Sequence, residues 1–202
     1  QQLHYYDSGT QTQTKNLDSC FNEGEAQLIA ALIAFLMKIC LSSLQTTKHL
    51  EKICSKIGII SGYRAQNQKL HRYLYKYLQP ILENPSTNPQ HLKIDDVTNG
   101  IVIDTVDRFQ GQEREIIFYS FVDSNPQQEI RALNQETRRL NVAISRAKKK
   151  IIFVGDMNTL AKSTSQDTSI SNRAKSIHQQ LWEFIKQHNG CYMESEFSWI
   201  KE

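Results

Sequence analysis

The feature that most constrains the fold is a series of short apolar runs, each bounded by polar or turn-forming residues. The runs are residues 57–61, 101–103, 115–122 and 151–154. Strands that are apolar at consecutive positions are buried on both faces, as in a parallel sheet between two layers of helices. The sequence therefore predicts an α/β domain with a mainly parallel sheet and helices on both faces.

Helical segments alternate with these runs, which supports the same architecture. Asn22 is suited to cap a long apolar helix that ends near residue 41, and Glu23 and Glu25 suit the positive end of its dipole. The apolar stretch of this helix is shorter than the roughly 18 residues of a membrane span, so a buried helix is predicted. Further helices are predicted at 45–55, 64–81, 136–147 and 172–189, loops at 8–15, 83–99 and 163–171, and short strands at 3–6 and 191–193.

The composition is that of an ordinary globular domain, with 39% hydrophobic and 22% charged residues. No internal boundary is visible, so residues 1–202 are predicted to form a single domain with its core at about residues 20–156. A net charge of +3 permits a nucleic-acid or phosphate partner without indicating one. The 4 cysteines form no CxxC pair, which predicts reduced thiols, a cytoplasmic or nuclear location and no metal site. The chain opens without a signal peptide, and its start at Gln1 suggests a piece of a longer protein.

One candidate for chemistry is the stretch TVDRFQGQE at residues 105–113, which follows a predicted strand. Gly111 allows a tight turn or a close approach of the backbone to a ligand. Thr105 offers a hydroxyl and an N–H group to a phosphate oxygen, and Glu113 offers an acceptor to a ribose hydroxyl. An ordinary turn at a strand end has the same features, and the residues alone leave both readings open.

A second candidate is the stretch RRLNVAISRAK at residues 138–148, which is predicted to be helical. Arg139 and Arg146 are seven positions apart and therefore share one stripe of the helix, where both are predicted to reach a common anion. Guanidinium groups match the geometry of phosphate and stay charged. The alternative is a solvated basic helix face, and residues 148–150 (KKK) are predicted to be exposed charge of that kind.

Taken together and in this order, the two stretches and the following strand that ends at Gly155-Asp156 resemble motifs V and VI of superfamily 1 helicases. The likeness is to the Upf1-like group, which includes Sen1/senataxin-type and Dna2-type enzymes. Residues 22–26 (NEGEA) resemble the N-x-x-E-A that opens the C-terminal lobe in that group, and residues 57–66 (IGIISGYRAQ) resemble its motif IV. The resemblance implies a RecA-like fold and the second of two lobes that bind ATP between them.

The resemblance also implies a role for each matched residue. Arg146 corresponds to the arginine finger that contacts the γ-phosphate. The positions implied for ATP binding are Arg64, Gln66, Gly111, Gln112, Glu113 and Arg139, and those implied for nucleic-acid binding are Thr105, Asp107 and Gln110. The chain departs from the usual pattern at Gly62, where proline is common, and at Ser145, where threonine is common.

The phosphate-binding sequence G-x-x-x-x-G-K-[ST] is missing, since no glycine of this chain is followed by lysine. ATP and Mg²⁺ are therefore expected to be shared with an N-terminal RecA-like lobe of the same polypeptide, and this chain alone is expected not to hydrolyse ATP. The expected partner is single-stranded RNA or DNA, and no membrane is expected. The alternatives are a non-catalytic RNA- or protein-binding module derived from a helicase, or an unrelated nucleotide-binding enzyme with its own glycine-rich loop.

Overall fold

A computed structural model describes residues 2–7, 14–16, 19–43, 47–89, 91–125, 130–131, 134, 136–160, 176–193 and 196. The strands are β1 (Gln2–Asp7), β2 (Thr14–Asn16), β3 (Ser19–Phe21), β4 (Ile57–Ser61), β5 (Val102–Thr105), β6 (Arg114–Ser120), β7 (Ala147–Gly155) and β8 (Cys191–Tyr192). The helices are α1 (Glu23–Ser43), α2 (Thr47–Cys54), α3 (Arg64–Glu83), α4 (Ile94–Thr98), α5 (Thr137–Ser145), α6 (Met157–Leu160) and α7 (Ile177–Gln187).

Within the described ranges, a parallel sheet of 6 strands has the order β5-β4-β6-β7-β1-β8. The strands β2 and β3 form a separate antiparallel pair. The predicted parallel sheet is therefore confirmed, including the short strand near residues 3–6 and the edge strand that begins at Cys191.

The central strands are apolar at consecutive positions because each face of the sheet packs against its own layer. On β6, Phe118 packs into the cluster formed with α1 and α3. Its neighbours Ile117 and Tyr119 pack into the opposite cluster with α5 and α7. This alternation explains why a buried parallel strand requires apolar side chains at both odd and even positions.

Helix α1 is the main apolar helix of the first layer. Its N-terminus is capped as predicted, because the side-chain oxygen of Asn22 accepts a hydrogen bond from the Glu25 N–H at 3.1 Å. The segment Glu23–Leu41 is long and apolar enough to cross a membrane by length and composition, and 61% of its apolar window is buried inside the protein. Ile29 and Ile33 have no exposed surface, so in this structure α1 serves as a core helix.

Two sequence-based boundaries are wrong. The predicted loop at residues 83–99 contains α4, whose single turn is too short and too polar to give a periodic apolar pattern. Strand β7 begins at Ala147, before the predicted start at residue 151, because the backbone of this segment already pairs with β6. Two of its lysines also form exposed ion pairs, Lys148–Glu113 and Lys149–Glu115.

Two further expectations concern the loops and the C-terminal helix. The predicted loop at 8–15 ends earlier than expected, because β2 begins at Thr14. Helix α7 is followed by Asn189 in the left-handed conformation, with a φ angle of 53°. Asparagine tolerates this region, so it ends the helix, although the sequence suggested Gly190 for that position. The predicted loop at 163–171 lies outside the described residues.

Candidate nucleotide and nucleic-acid site

The predicted site residues lie at two opposite edges of the sheet. All strands of a parallel sheet begin at one edge, here called the amino edge, and end at the other, here called the carboxyl edge. Glu113 immediately precedes β6 and Arg146 immediately precedes β7, so both lie at the amino edge. Thr105 is the last residue of β5 and Arg64 follows the end of β4, so both lie at the carboxyl edge.

Glu113 and Arg146 are neighbours because of the strand register. Arg114 and Ala147 are paired across β6 and β7, and the Arg114 N–H donates a hydrogen bond to the Arg146 carbonyl at 2.9 Å. Adjacent strands lie about 4.8 Å apart, so the preceding residues start from adjacent backbone positions. The sheet thus brings together the two residues that motifs V and VI imply for ATP.

The Arg146 guanidinium is oriented by its own helix. Its Nε donates to the Val142 carbonyl at 3.3 Å, and its Nη2 donates to the Ser145 hydroxyl at 2.9 Å. In the described part of the chain, no carboxylate forms an ion pair with it. The result is a half-buried, oriented cation at the amino edge that keeps donors for an anion.

The rest of the amino edge carries exposed polar groups. The Glu113 side chain is 51% exposed and pairs with Lys148 at 3.3 Å. Gln112 accepts a hydrogen bond from Arg114 Nη2 at 3.4 Å. Gly111 is exposed with a φ angle of 86°, a conformation that a side chain would strain.

A cleft of about 210 Å³ lies between the segment after β5 and helix α5. It is lined by Val106, Asp107, Gln110, Glu136, Arg138, Arg139 and Val142. Two residues with a predicted nucleic-acid role, Asp107 and Gln110, are therefore brought together. Arg138 is exposed beside them.

That Arg139 and Arg146 bind one anion stays a prediction, and in this conformation two carboxylates hold the Arg139 guanidinium. Arg139 lies near the start of α5 and pairs with Asp107 at 3.2 Å and Glu136 at 3.0 Å. Arg146 follows the opposite end of the same helix, and seven residues of helix span about 10 Å. Arg139 therefore lies in the cleft, whereas Arg146 lies at the amino edge.

The segment between the two sites is anchored by Phe109. This side chain has no exposed surface, and a Cβ atom at Gly58 would lie only 2.6 Å from its ring. A Cβ atom there would also lie 2.7 Å from Ile117 Cδ1, so glycine at this position of β4 leaves room for both side chains. The anchor fixes Gly111 to Glu113 relative to the sheet.

Three predicted residues are placed differently from expectation. Gln66 is fully buried, and its amide donates to the Asn22 carbonyl at 3.1 Å and to the Ser120 hydroxyl at 2.9 Å. Both of its N–H groups are thus used, and it does not reach the nucleotide site. Arg64 is exposed but lies at the carboxyl edge, away from Arg146. The Thr105 N–H, predicted to bind phosphate, instead donates to Asp104 Oδ1 at 2.8 Å.

Sequence reasoning missed a buried polar cluster, here called the Glu25 network, which consists of Asn22, Glu25, Gln66, Ser120 and Val122. The Glu25 carboxylate accepts from the Ser120 hydroxyl at 2.6 Å, the Val122 N–H at 2.9 Å and the Asn22 amide at 3.2 Å. Burial raises the pKa of Glu25 to about 8. Glu25 therefore does not act at a solvated helix end, and the sequence signal for it was its place in the N-x-x-E-A pattern of residues 22–26.

The chain matches the AAA domain family over residues 1–158. It is 34% identical over 135 residues, or 67% of the chain, to the DNA replication ATP-dependent helicase/nuclease dna2 of Schizosaccharomyces pombe. It is 31% identical over 156 residues, or 77% of the chain, to Helicase SEN1 of Saccharomyces cerevisiae. A probable helicase of Dictyostelium discoideum is 32% identical over 182 residues, or 89% of the chain. The aligned segments span 8%, 6% and 16% of those relatives, respectively.

This chain belongs to the Upf1-like helicases of superfamily 1. Its parallel sheet with helices on both faces is the RecA-like fold of that group. Among the residues that the structure describes, no three His, Cys, Asp or Glu side chains group to hold a metal ion.

In this Upf1-like domain, local contacts accommodate the two departures from the usual motifs. The Ser145 hydroxyl donates to the Val142 carbonyl at 2.8 Å while it accepts from Arg146, so serine provides the hydroxyl that threonine usually brings. At the other site, the Ser61 hydroxyl accepts from the Tyr63 N–H at 3.2 Å and donates to Asn67 at 2.8 Å. These bonds hold the turn at Gly62, where a proline ring is usual.

Proposed function

We propose that this chain is the C-terminal RecA-like lobe of an ATP-dependent helicase or translocase that acts on single-stranded RNA or DNA. The observation that carries this proposal is that Glu113 and Arg146 lie next to each other at the amino edge without forming an ion pair. One is an exposed acceptor and the other an oriented cation without an acidic partner among the described residues. An anion that carries hydroxyl groups, as a nucleoside triphosphate does, matches this combination.

In this proposal Arg146 acts as the arginine finger on the γ-phosphate. Such an arginine stabilises the charge of the transferring phosphoryl group and contributes about 10³–10⁵ in rate in related NTPases. Glu113 accepts a hydrogen bond from the ribose, while Gly111 and Gln112 allow the backbone to approach the nucleotide. The phosphate-binding loop and the ligands of Mg²⁺ come from the other lobe of the same polypeptide, so the isolated chain is inactive as an ATPase.

The nucleic acid is proposed to bind toward the carboxyl edge, along Thr105 and the cleft that holds Asp107 and Gln110. Arg138 is exposed beside the cleft and provides a cation for a backbone phosphate. Contacts to phosphates position a strand without reading its sequence, as a translocase requires. The relatives' names include DNA replication, which supports an intracellular location in the nucleus or cytoplasm.

The test is Arg146→Ala in the complete protein, assayed for ATP hydrolysis with and without single-stranded nucleic acid. We expect stimulated hydrolysis to fall about 10³-fold or more, with binding of the strand retained. Arg146→Lys keeps the charge but loses the planar fork of the guanidinium, so its rate of hydrolysis should lie between those of the wild type and Arg146→Ala. Lys149→Ala is a matched control, because Lys149 is an exposed cation of the same edge that pairs only with Glu115 among the described carboxylates.

Normal stimulated hydrolysis in Arg146→Ala would contradict the assignment. Absence of hydrolysis in the complete wild-type protein, together with retained strand binding, would favour the alternative of a non-catalytic RNA- or protein-binding module.

A further inference from the structure

Helix α5 physically joins the two charged sites of the domain. Arg139 lies near its start, in the cleft, and Arg146 follows its last residue, at the amino edge. The helix contains only nine residues and no glycine or proline, so it is a short, stiff connection. A displacement at one end is therefore transmitted to the other.

Arg139 is the electrostatic link between this helix and the cleft. Its guanidinium bridges Asp107, on the segment after β5, and Glu136, at the N-cap position of α5. The Asp107 side chain is 65% exposed, and ion pairs with such an exposed partner are weak and easily exchanged. A competing anion in the cleft can therefore replace Asp107 at little cost.

Arg146 moves with the helix because two contacts tie it there. Its Nε donates to the Val142 carbonyl and its Nη2 donates to the Ser145 hydroxyl, both within α5. On the inner side, Leu140 and Ala143 are buried in the same cluster as Val106 and Phe109. The guanidinium at the amino edge thus depends on how α5 sits against the segment that lines the cleft.

We propose that Asp107 and Arg139 are positioning residues that couple strand binding in the cleft to the placement of Arg146. A phosphate of the single strand competes with Asp107 for Arg139, α5 shifts against the segment after β5, and Arg146 is brought into register with the nucleotide. This inference rests on the proposed function and adds the device by which nucleic acid stimulates hydrolysis. It requires only charge exchange and the rigidity of one helix.

The test is a set of single substitutions in the complete protein. The variants are Asp107→Ala, Arg139→Ala and Arg139→Lys. The measured quantity is the ratio of kcat with saturating oligo(U) or oligo(dT) to kcat without it. We expect each alanine variant to reduce this ratio about fivefold or more. Arg139→Lys should keep more of the ratio than Arg139→Ala, because its ammonium can still exchange Asp107 for a strand phosphate.

Arg139→Lys should still fall below the wild-type ratio, because a single ammonium cannot bridge two carboxylates as a guanidinium does. The matched control is Lys69→Ala, which breaks an ion pair with Glu23 on the opposite face of the sheet. Lys69 and Arg139 are 23% and 24% exposed, so both alanine variants remove a similarly covered cation. The control should leave the ratio unchanged.

Two results would overturn the coupling. One is a wild-type ratio in both Asp107→Ala and Arg139→Ala. The other is an alanine variant whose full ratio returns at high oligonucleotide concentration, since that indicates a role in binding alone. If Arg146→Ala does not hydrolyse ATP, either result contradicts the coupling but not the proposed function. If Arg146→Ala hydrolyses ATP normally, the proposed function itself is contradicted.

Discussion

Two groups of polar residues in this domain each contain a glutamate, and the surroundings of the two glutamates differ. At the amino edge, Glu113 is 51% exposed and pairs with a single lysine. In the Glu25 network, the glutamate has no exposed surface and accepts three hydrogen bonds. The buried group is fully bonded, whereas the edge group is free to exchange its partner.

This difference separates structural from ligand-binding roles. A polar group removed from water must keep its partners, so Glu25 fixes the chain around it. One of its partners is Val122, which has a φ angle of 72° that β-branched residues rarely adopt. The exposed Glu113 gives little stability and can turn to a ligand at low cost. Burial therefore indicates the role better than residue type does.

The largest effect is expected when the buried group is removed. Glu25→Ala leaves the Val122 N–H and the Ser120 hydroxyl without their acceptor and opens a cavity, so we expect a loss of about 3 kcal/mol or more. Urea unfolding of the 202-residue chain measures it. The matched change Glu113→Ala at the amino edge should alter the free energy of unfolding by less than about 0.5 kcal/mol. Equal losses of unfolding free energy in Glu25→Ala and Glu113→Ala would contradict the conclusion that the buried glutamate is structural and the exposed one is not.

An intermediate effect is expected from pH. The pKa of Glu25 is raised from 4.5 to about 8, mainly by burial and to a smaller extent by the negative charges of Asp123 and Asp156. In the unfolded chain this carboxyl ionises first, so its contribution to stability is present at low pH and is lost as pH rises toward 8.

The pH effect is isolated by Glu25→Gln, which cannot ionise. The difference in unfolding free energy between wild type and this variant should shift against the wild type by on the order of 2 kcal/mol between about pH 5 and pH 8. A difference that stays constant over this range contradicts the assignment of the raised pKa to Glu25.

The smallest effect is expected for the ion pair of Glu113 with Lys148. Both side chains are more than half exposed, at 51% and 57%, so a double-mutant cycle with alanine should give a coupling of about 0–0.5 kcal/mol. The coupling should vanish at about 1 M salt, where charges are screened within about 3 Å. A larger coupling that resists salt would place this pair in the same class as the Glu25 network.

Most of the fold follows from local patterns in the sequence. Consecutive apolar residues locate β4 and β6, and the apolar stripe from Leu70 locates α3. The start of β7 could not be predicted in this way, because three consecutive lysines resemble an exposed loop until the backbone pairing with β6 is known.

The site was predictable only in part. The sequence identifies Glu113 and Arg146, but their adjacency depends on the register between β6 and β7, which is a tertiary property. The burial of Gln66 could not be predicted from local patterns, because its hydrogen-bond partners Asn22 and Ser120 are separated from it by 44 and 54 positions in the sequence. Arg139 is a similar case, since its ion pair with Asp107 joins the two candidate stretches and is known only from the fold.

The position of β1 has a consequence for how the molecule is made. This first strand pairs with β7 from Gln2 opposite Lys150 to Asp7 opposite Gly155, and with β8 on its other side. Such pairings close a very long loop, which slows the docking of β1 onto the sheet. Until β1 docks, the edge of β7 that it covers is open to strands of other chains.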